Sequence, residues 1–327
     1  MAVAGRIKKQ EPRTKNQFGR IGVLMGGPSS EREISLKSGS AVFEAFKSSN
    51  LDVVVLDITE SDSGKARTQI EKARIKIAFI ALHGKFGEDG TVQKLLQEMR
   101  VPYTGSGIEA SRLALDKIAA RKRFKEAGLS VPEAEIVNKN IPFKKKLGKF
   151  PVVVKPATSG SSIGLSIVEE EKDLWPALRE AFVHDENVLI EEYIQGRECT
   201  VGILEDKPLA VVEVIPKRKF FDYQAKYTKG LTEYIVPAAF TQDIYSKVQE
   251  TALAAHKALG CYGFSRVDMI IDNTNRLFVL ELNTIPGMTQ TSLLPKAAQA
   301  VGVNFIQLCM KLLSLALTPR KQDRKMR

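Results

Sequence analysis

The chain of 327 residues has only three cysteines, Cys199, Cys261 and Cys309. They are scattered, odd in number and without metal-ligand spacing, so a disulfide framework and a zinc site are excluded and structural thiols in a reducing compartment are expected. No apolar run approaches the ~18 residues that a membrane-spanning helix needs. The N-terminus also lacks the apolar core of a signal peptide. A cytoplasmic protein without membrane insertion is therefore expected. Histidine is scarce as well. His184 and His256 read as ordinary helix-face residues, and no Ser–His–Asp order or His/Cys metal spacing occurs. No G-x-G-x-x-G and no G-x-x-x-x-G-K-[ST] is present, which argues against a nicotinamide-dependent dehydrogenase and against a Walker-type nucleotide loop. There are no internal repeats.

The composition is that of a globular protein, 43% hydrophobic and 27% charged. The length exceeds one ordinary core, so two or three domains are expected. The net charge of +11 invites a nucleic-acid reading. Its location argues against a specific one. Residues 1–20 hold six Lys/Arg and one acid, and residues 319–327 hold five and one, so the two ends supply nine of the eleven charges. Such apolar-poor ends read as disordered tails, able to attract polyanions only non-specifically.

Between the tails, strands alternate with helices. Ile21–Met25 reads as a buried strand followed by the tight loop Gly26-Gly27-Pro28-Ser29-Ser30 and a helical pattern from Glu31. Leu51–Leu56 and Ile75–Leu82 read as further strands. This order predicts a parallel α/β domain over residues 20–105. A helical stretch from Ile108 to Ala127 follows, then strands at Pro151–Pro156 and Val188–Tyr193. These predict a small α+β domain over 106–195 and a third domain, also α+β, over 196–318, flanked by basic tails at 1–19 and 319–327.

The strongest chemical signal lies near the C-terminal end. Gly263–Ile271 and Phe278–Asn283 read as two strands joined by the polar turn Asp272–Asn275, a hairpin pattern. Alternation puts Arg266 and Asp268 on one face of the first strand, and Glu281 and Asn283 on one face of the second. It assigns Phe278, Leu280 and Leu282 to the opposite face. Pairing would gather Asp268, Glu281 and Asn283 beside Arg266. Three hard oxygen ligands suit Mg²⁺, which keeps waters and substrate phosphates in its shell.

Three other places carry candidate chemistry. Lys155 ends a buried strand just before the small-residue loop Ala157–Gly164, whose backbone N–H groups could cradle phosphate oxygens. Lys219–Tyr227 is polar, aromatic and without period, as active-site loops often are. His83 lies at a strand end opening into Gly84–Gly90, and ligands of parallel α/β sheets gather at carboxyl strand ends.

With these runs in place, the chain resembles the D-alanine–D-alanine ligases of the ATP-grasp superfamily over nearly all of residues 20–318. The resemblance rests on Gly26-Gly27 with Glu31–Ser35, Ala81–Gly84, Pro102–Gly107, Asp116-Lys117, Val154–Pro156 and Gly160–Gly164. It continues through Asp222-Tyr223, Ala225–Tyr227, Arg266–Asp268, Glu281–Thr284 and Pro286–Thr289. It implies three domains with ATP held between the central and C-terminal ones. It also implies two Mg²⁺ ions, replaceable by Mn²⁺, on Asp268, Glu281 and Asn283. Lys117 and Lys155 would contact ATP phosphates, Glu191, Glu192 and Ile194 would line the adenine pocket, and Glu198 would hold the ribose. Glu31, Ser161 and Tyr227 would form a hydrogen-bonded chain closing a loop over the site. Arg266 and the Gly287 N–H would stabilise a tetrahedral oxyanion. His83 would belong to the substrate site, and Lys226 and Ser292 would hold the carboxylate of the second D-alanine. Some relatives have lysine in place of Glu192 and tyrosine in place of Phe221. The implied activity is ATP-dependent synthesis of D-alanyl-D-alanine for peptidoglycan by a homodimer. The alternatives are a D-alanine–D-lactate or D-alanine–D-serine ligase, or a non-catalytic ATP-binding protein.

Overall fold

The computed structural model describes residues 17–142, 149–217 and 231–318. Both basic tails, apart from a few residues, and the loop stretch carrying Phe221, Lys226 and Tyr227 lie outside the described residues. Within them, three sheets organise the chain. The first is parallel, in the order β2-β1-β3, from Ile21–Gly26 (β1), Val53–Ile58 (β2) and Ile77–Ile80 (β3). Every residue of β1 is buried, as expected for a central strand covered on both faces.

Arg32–Ser48 (α1) packs on this sheet through Ser35, Ser38, Gly39, Val42 and Phe46, spaced as one helix face requires. Phe46 meets Phe79 of β3 edge-on, with ring centroids 5.7 Å apart. Ser63–Ala73 (α2) starts at an Asp62 cap that accepts from Gly64 and Lys65 N–H. Thr91–Glu98 (α3) follows the loop after β3.

The expected helix from Ile108 to Ala127 is in fact two, Ile108–Leu115 (α4) and Lys117–Glu126 (α5). Asp116 sits between them with extended backbone geometry, and its carboxylate accepts from the N–H groups of Ile118 and Ala119. An aspartate is as good a cap as it is a poor helix-interior residue, so the pattern breaks there. Ala114, Ala120 and Phe124 share a core with the C-terminal sheet.

The second sheet is antiparallel, ordered β4-β7-β5-β6. It comprises Ala134–Asn138 (β4), Val152–Pro156 (β5), Ser166–Val168 (β6) and Asn187–Glu192 (β7). Leu174–His184 (α6) covers one face through Leu174, Ala177, Leu178 and Ala181. The third sheet is ordered β10-β9-β8-β11-β12. Its strands are Gly196–Leu204 (β8), Lys207–Pro216 (β9), Thr232–Ile235 (β10), Phe264–Asp272 (β11) and Leu277–Asn283 (β12). Gln242–Ala258 (α7) lies against it. Leu293–Ala300 (α8) and Phe305–Ala316 (α9) join its other face to the parallel sheet in one shared core. No single helix among the described residues is long and apolar enough to cross a membrane.

The predicted hairpin is present. Arg266 pairs with Asn283 and Asp268 with Glu281, and the Asp272 carboxylate accepts from the N–H groups of Thr274 and Arg276. One detail differs from simple alternation. The register slips after Asp268, so Met269 pairs with Val279 and Leu280 has no partner. A β-bulge of this kind inverts the parity of the residues before it. Leu277 and Val279 therefore join Leu282 in the core, and Phe278 pairs with Ile270 on the Asp268 side. Leu280 lines a small cavity beside Glu281. The expected common face of Phe278, Leu280 and Leu282 is thus wrong for the first two.

Candidate active site

A cavity of about 420 Å³ opens at the carboxyl end of the parallel sheet and runs to the face of the β11–β12 hairpin. It is lined by Glu31, His83, Lys117, Ser161, Glu198, Arg266, Asp268, Glu281, Asn283, Gly287 and Ser292. A smaller cavity of about 100 Å³ adjoins it, lined by Lys117, Lys155, Ser162, Glu198, Asp268 and Glu281. Eleven of the expected site residues therefore meet in one cavity, and Lys155 in its annex.

The acids and cations of the floor are paired. Arg266 forks onto Asp268, with Nε 2.9 Å from Oδ1 and Nη2 2.7 Å from Oδ2. Asp268 also accepts from the Thr200 hydroxyl at 2.6 Å and from Asn283 Nδ2 at 3.2 Å. The Lys117 ammonium lies 3.5 Å from Glu281 and donates to the Ser159 carbonyl at 2.7 Å. Among the described residues no three His, Cys, Asp or Glu side chains converge as a metal set. The donors present are two carboxylates and one amide on adjacent strands. That set fits a hard cation that brings phosphate oxygens of its own.

The wall from the parallel sheet is built around Glu31, which precedes α1 and is buried. The Ser161 hydroxyl donates to Glu31 Oε1, tying the loop after β5 across the cavity. Glycines permit this approach. A Cβ on Gly160 would stand 2.7 Å from Glu31 Oε2, and one on Gly84 2.9 Å from it, where φ is also +67°. Ser292 Oγ accepts from Thr289 N–H at 3.1 Å, bracing the turn that presents Gly287.

His83 is buried, with Nε2 3.4 Å from Ser38 Oγ. Burial, and then the Arg266 charge, push its pKa down to about 4, so it is a neutral imidazole near pH 7. Glu88, to which the sequence reading gave no role, is buried here too. It accepts from Gly84 N–H at 2.8 Å and Ile285 N–H at 3.3 Å. Burial, and then the neighbouring Glu31, drive its pKa well above the usual carboxylate range. A group whose pKa is raised on folding stabilises the fold fully below its unfolded pKa, and this contribution fades as pH rises towards the folded value. The melting temperature is therefore expected to fall between about pH 5 and about pH 8. Glu88→Gln should flatten that slope; scanning fluorimetry across pH compares the two.

The residues expected around adenine stand apart from both cavity linings. Glu191, on β7, is buried and held by Arg121 at 2.8 Å through Oε1 and by Lys155 at 2.7 Å through Oε2. The Glu192 carboxylate accepts from Glu133 N–H at 3.1 Å, and Ile194 is half-buried on the exit from β7. Tyr227 and Lys226 fall outside the described residues.

Two further site residues escaped the sequence reading, although spacing carried a signal for each. Thr200 is two residues along β8 from Glu198, hence on the same face. Arg121 is one helical turn beyond Lys117 on α5. Elsewhere, Ser265 Oγ is 2.7 Å from His256 Nδ1, and Asp206 is 3.4 Å from His256 Nε2. Ser265 is wholly buried and lines neither cavity, so this trio offers no reachable nucleophile. Burial likewise pushes all three thiols well above their usual range, leaving them inert.

Comparison with known proteins places the chain. The family model for the D-ala D-ala ligase N-terminus matches residues 60–106, and that for the C-terminus matches residues 124–314. The chain is 46% identical over 309 residues to the D-alanine–D-alanine ligase of Syntrophotalea carbinolica, covering 94% of this chain and 98% of that protein. It is 44% identical to that of Geobacter sulfurreducens, covering 90% and 93%. The crystal structure of the Bacillus anthracis D-alanine–D-alanine ligase with ATP superposes with a TM-score of 0.80 at 34% identity, covering 93% of this chain and 99% of that one. The three-sheet architecture is accordingly the ATP-grasp fold, and the chain belongs to the D-alanine–D-alanine ligase family.

Proposed function

We propose that the protein joins two D-alanines to D-alanyl-D-alanine with conversion of ATP to ADP and phosphate, supplying peptidoglycan precursors in the cytoplasm. The observation that carries the proposal is the pairing of Lys117 with Glu281 and of Arg266 with Asp268 on the floor of one cavity. Two cations and two hard anions held together suit a triphosphate and its divalent ions better than any neutral ligand.

A carboxylate is a poor acylating agent. The first D-alanine would attack the γ-phosphorus through a carboxylate oxygen, giving D-alanyl phosphate and ADP. The amine of the second D-alanine would then attack the acyl carbon and expel phosphate. Glu31, held by Ser161, faces the ammonium of the first substrate. Lys117 and Lys155 offset charge on the phosphates. Arg266 and the Gly287 N–H receive the oxyanion of the second step. Neutral His83 adds no charge beside Glu31. Ser292, with Lys226, holds the second carboxylate, and Glu191, Glu192, Ile194 and Glu198 surround the nucleoside. Asp268, Glu281 and Asn283 would hold two Mg²⁺ ions, which when bound supply Lewis-acid stabilisation of the transferring phosphoryl group. With Tyr227, the Ser161–Glu31 contact would hold the loop over the cavity and keep out water, which would otherwise hydrolyse the acyl phosphate. We take the working protein to be a homodimer.

Phosphate release on mixing ATP, Mg²⁺ and D-alanine, with the dipeptide mass in the product, is the expected result. No phosphate release would leave an ATP-binding protein without this activity.

The acceptor is set by Tyr227 in this reading. D-alanine is mostly ammonium near neutral pH and must lose protons before attack, whereas D-lactate attacks through a hydroxyl. A tyrosine hydroxyl joining the Ser161–Glu31 pair would take part in that relay. Tyr227→Phe is expected to shift the product ratio towards D-alanyl-D-lactate by about ten- to a hundred-fold, most visibly at about pH 6–7. Competition between D-alanine and D-lactate across pH reads the ratio, and a constant ratio would move acceptor choice to Lys226 and Ser292.

A further inference from the structure

We propose that Arg121 is a positioning residue that frees Lys155 for the nucleotide phosphates. The inference rests on the assignment of Lys155 to those phosphates. Arg121, Lys155 and Glu191 form a buried trio, with side chains 9%, 8% and 3% exposed. One carboxylate serves two cations there: Glu191 Oε1 meets Arg121 at 2.8 Å, and Oε2 meets Lys155 at 2.7 Å. The other Nη of Arg121 donates to the Pro132 carbonyl, which fixes the guanidinium plane independently of Glu191.

The trio therefore holds one positive charge in excess, in a place where charge is poorly solvated. Lys155 lines the smaller cavity, beside Lys117 and Ser162. An anion arriving there draws Lys155 away from Glu191. A buried carboxylate stripped of its only cation would resist that move strongly. Because Arg121 stays on Oε1, the carboxylate remains neutralised when Lys155 turns away. Arg121 thus lowers the cost of engaging phosphate without touching it. Lys117 and Arg121 are four residues apart on one face of α5, which sets Lys117 in the cavity lining and Arg121 against Glu191 behind it. A planar fork serving two acceptors is a task for arginine rather than lysine.

The test is binding of ADP and of adenosine to the full chain, each titrated by displacement of a fluorescent nucleotide. Arg121→Met is expected to weaken ADP by about ten-fold or more while changing adenosine less than about two-fold. Adding Glu191→Gln to that variant should restore the ADP-to-adenosine ratio, because no bare carboxylate then holds Lys155. Equal losses for the two ligands, or none, would overturn the proposal by making Arg121 a wall or a scaffold. If Arg121→Met fails to fold, Arg121→Gln decides, since an amide can still donate to Glu191 and to the Pro132 carbonyl but carries no charge: a lowered ratio supports the proposal, and an unchanged one overturns it. Lys155→Met separates the two levels. A ratio unchanged by Lys155→Met removes the underlying phosphate assignment. A ratio lowered by Lys155→Met but not by Arg121→Met removes only the role of Arg121.

Discussion

Glu281→Gln is expected to lower turnover by about a thousand-fold or more at saturating Mg²⁺, an effect of several kcal/mol on the phosphoryl-transfer barrier. The change keeps the shape of the side chain and removes its charge. Glu281 stands opposite Asp268 in the strand ladder, with the Lys117 ammonium 3.5 Å away. A neutral amide there is a far weaker ligand for a hard dication, and it leaves the floor with one negative charge fewer. The fold should be untouched. β12 is held by backbone pairing with β11, and its buried side chains Leu277, Val279 and Leu282 are unchanged. Lys117 keeps its bond to the Ser159 carbonyl. Initial rates over a Mg²⁺ titration, with a melting curve for each protein, make the comparison. Near-wild-type turnover in excess Mg²⁺ would remove Glu281 from the ligand set.

Much of this site was legible because its elements obey simple periods. The β11–β12 hairpin declared its acids by alternation, and the buried run of β1 with its glycine loop declared a parallel sheet. What alternation could not give was the bulge at Leu280. One unpaired residue inverts the faces of Phe278 and Val279, and no residue in Leu277–Asn283 announces it. Nor could a helical period show the break at Asp116, where a local cap wins over continuing apolar spacing. Glu88 was hidden for a different reason. Its role comes from burial beside Glu31 and from two N–H donors, one of them on Ile285 nearly two hundred residues away. Such a contact is a property of the fold and not of any window of sequence. The sharing of Glu191 by Arg121 and Lys155 was concealed in the same way, since helical spacing placed Arg121 near Lys117 but could not show its partner.

Arg266→Met is the second variant with a large expected effect, a loss of about a hundred- to a thousand-fold in kcat, as for removal of one oxyanion donor. Arg266→Lys should recover little of it. A lysine keeps the charge but cannot reproduce the fork by which Nε and Nη2 span Asp268 at 2.9 and 2.7 Å. The fork has a meaning for the unliganded state. It neutralises Asp268 before any dication arrives, and it leaves the guanidinium beside the turn that carries Gly287. With Asp268 holding a cation, Arg266 would be free to meet the negative charge that develops on the acyl oxygen. Both variants should therefore bind ATP and Mg²⁺ within a few-fold of the parent and fail in the chemical steps. A second readout reports the local field directly. The Arg266 charge is, after burial, the cause that depresses His83 to about pH 4. In Arg266→Met the imidazole should titrate at higher pH, while Arg266→Lys should hold it close to the parent value. Histidine NMR titrations measure this shift. A full loss of kcat in Arg266→Met with His83 unmoved would mean that the side chain lies elsewhere than over the cavity floor.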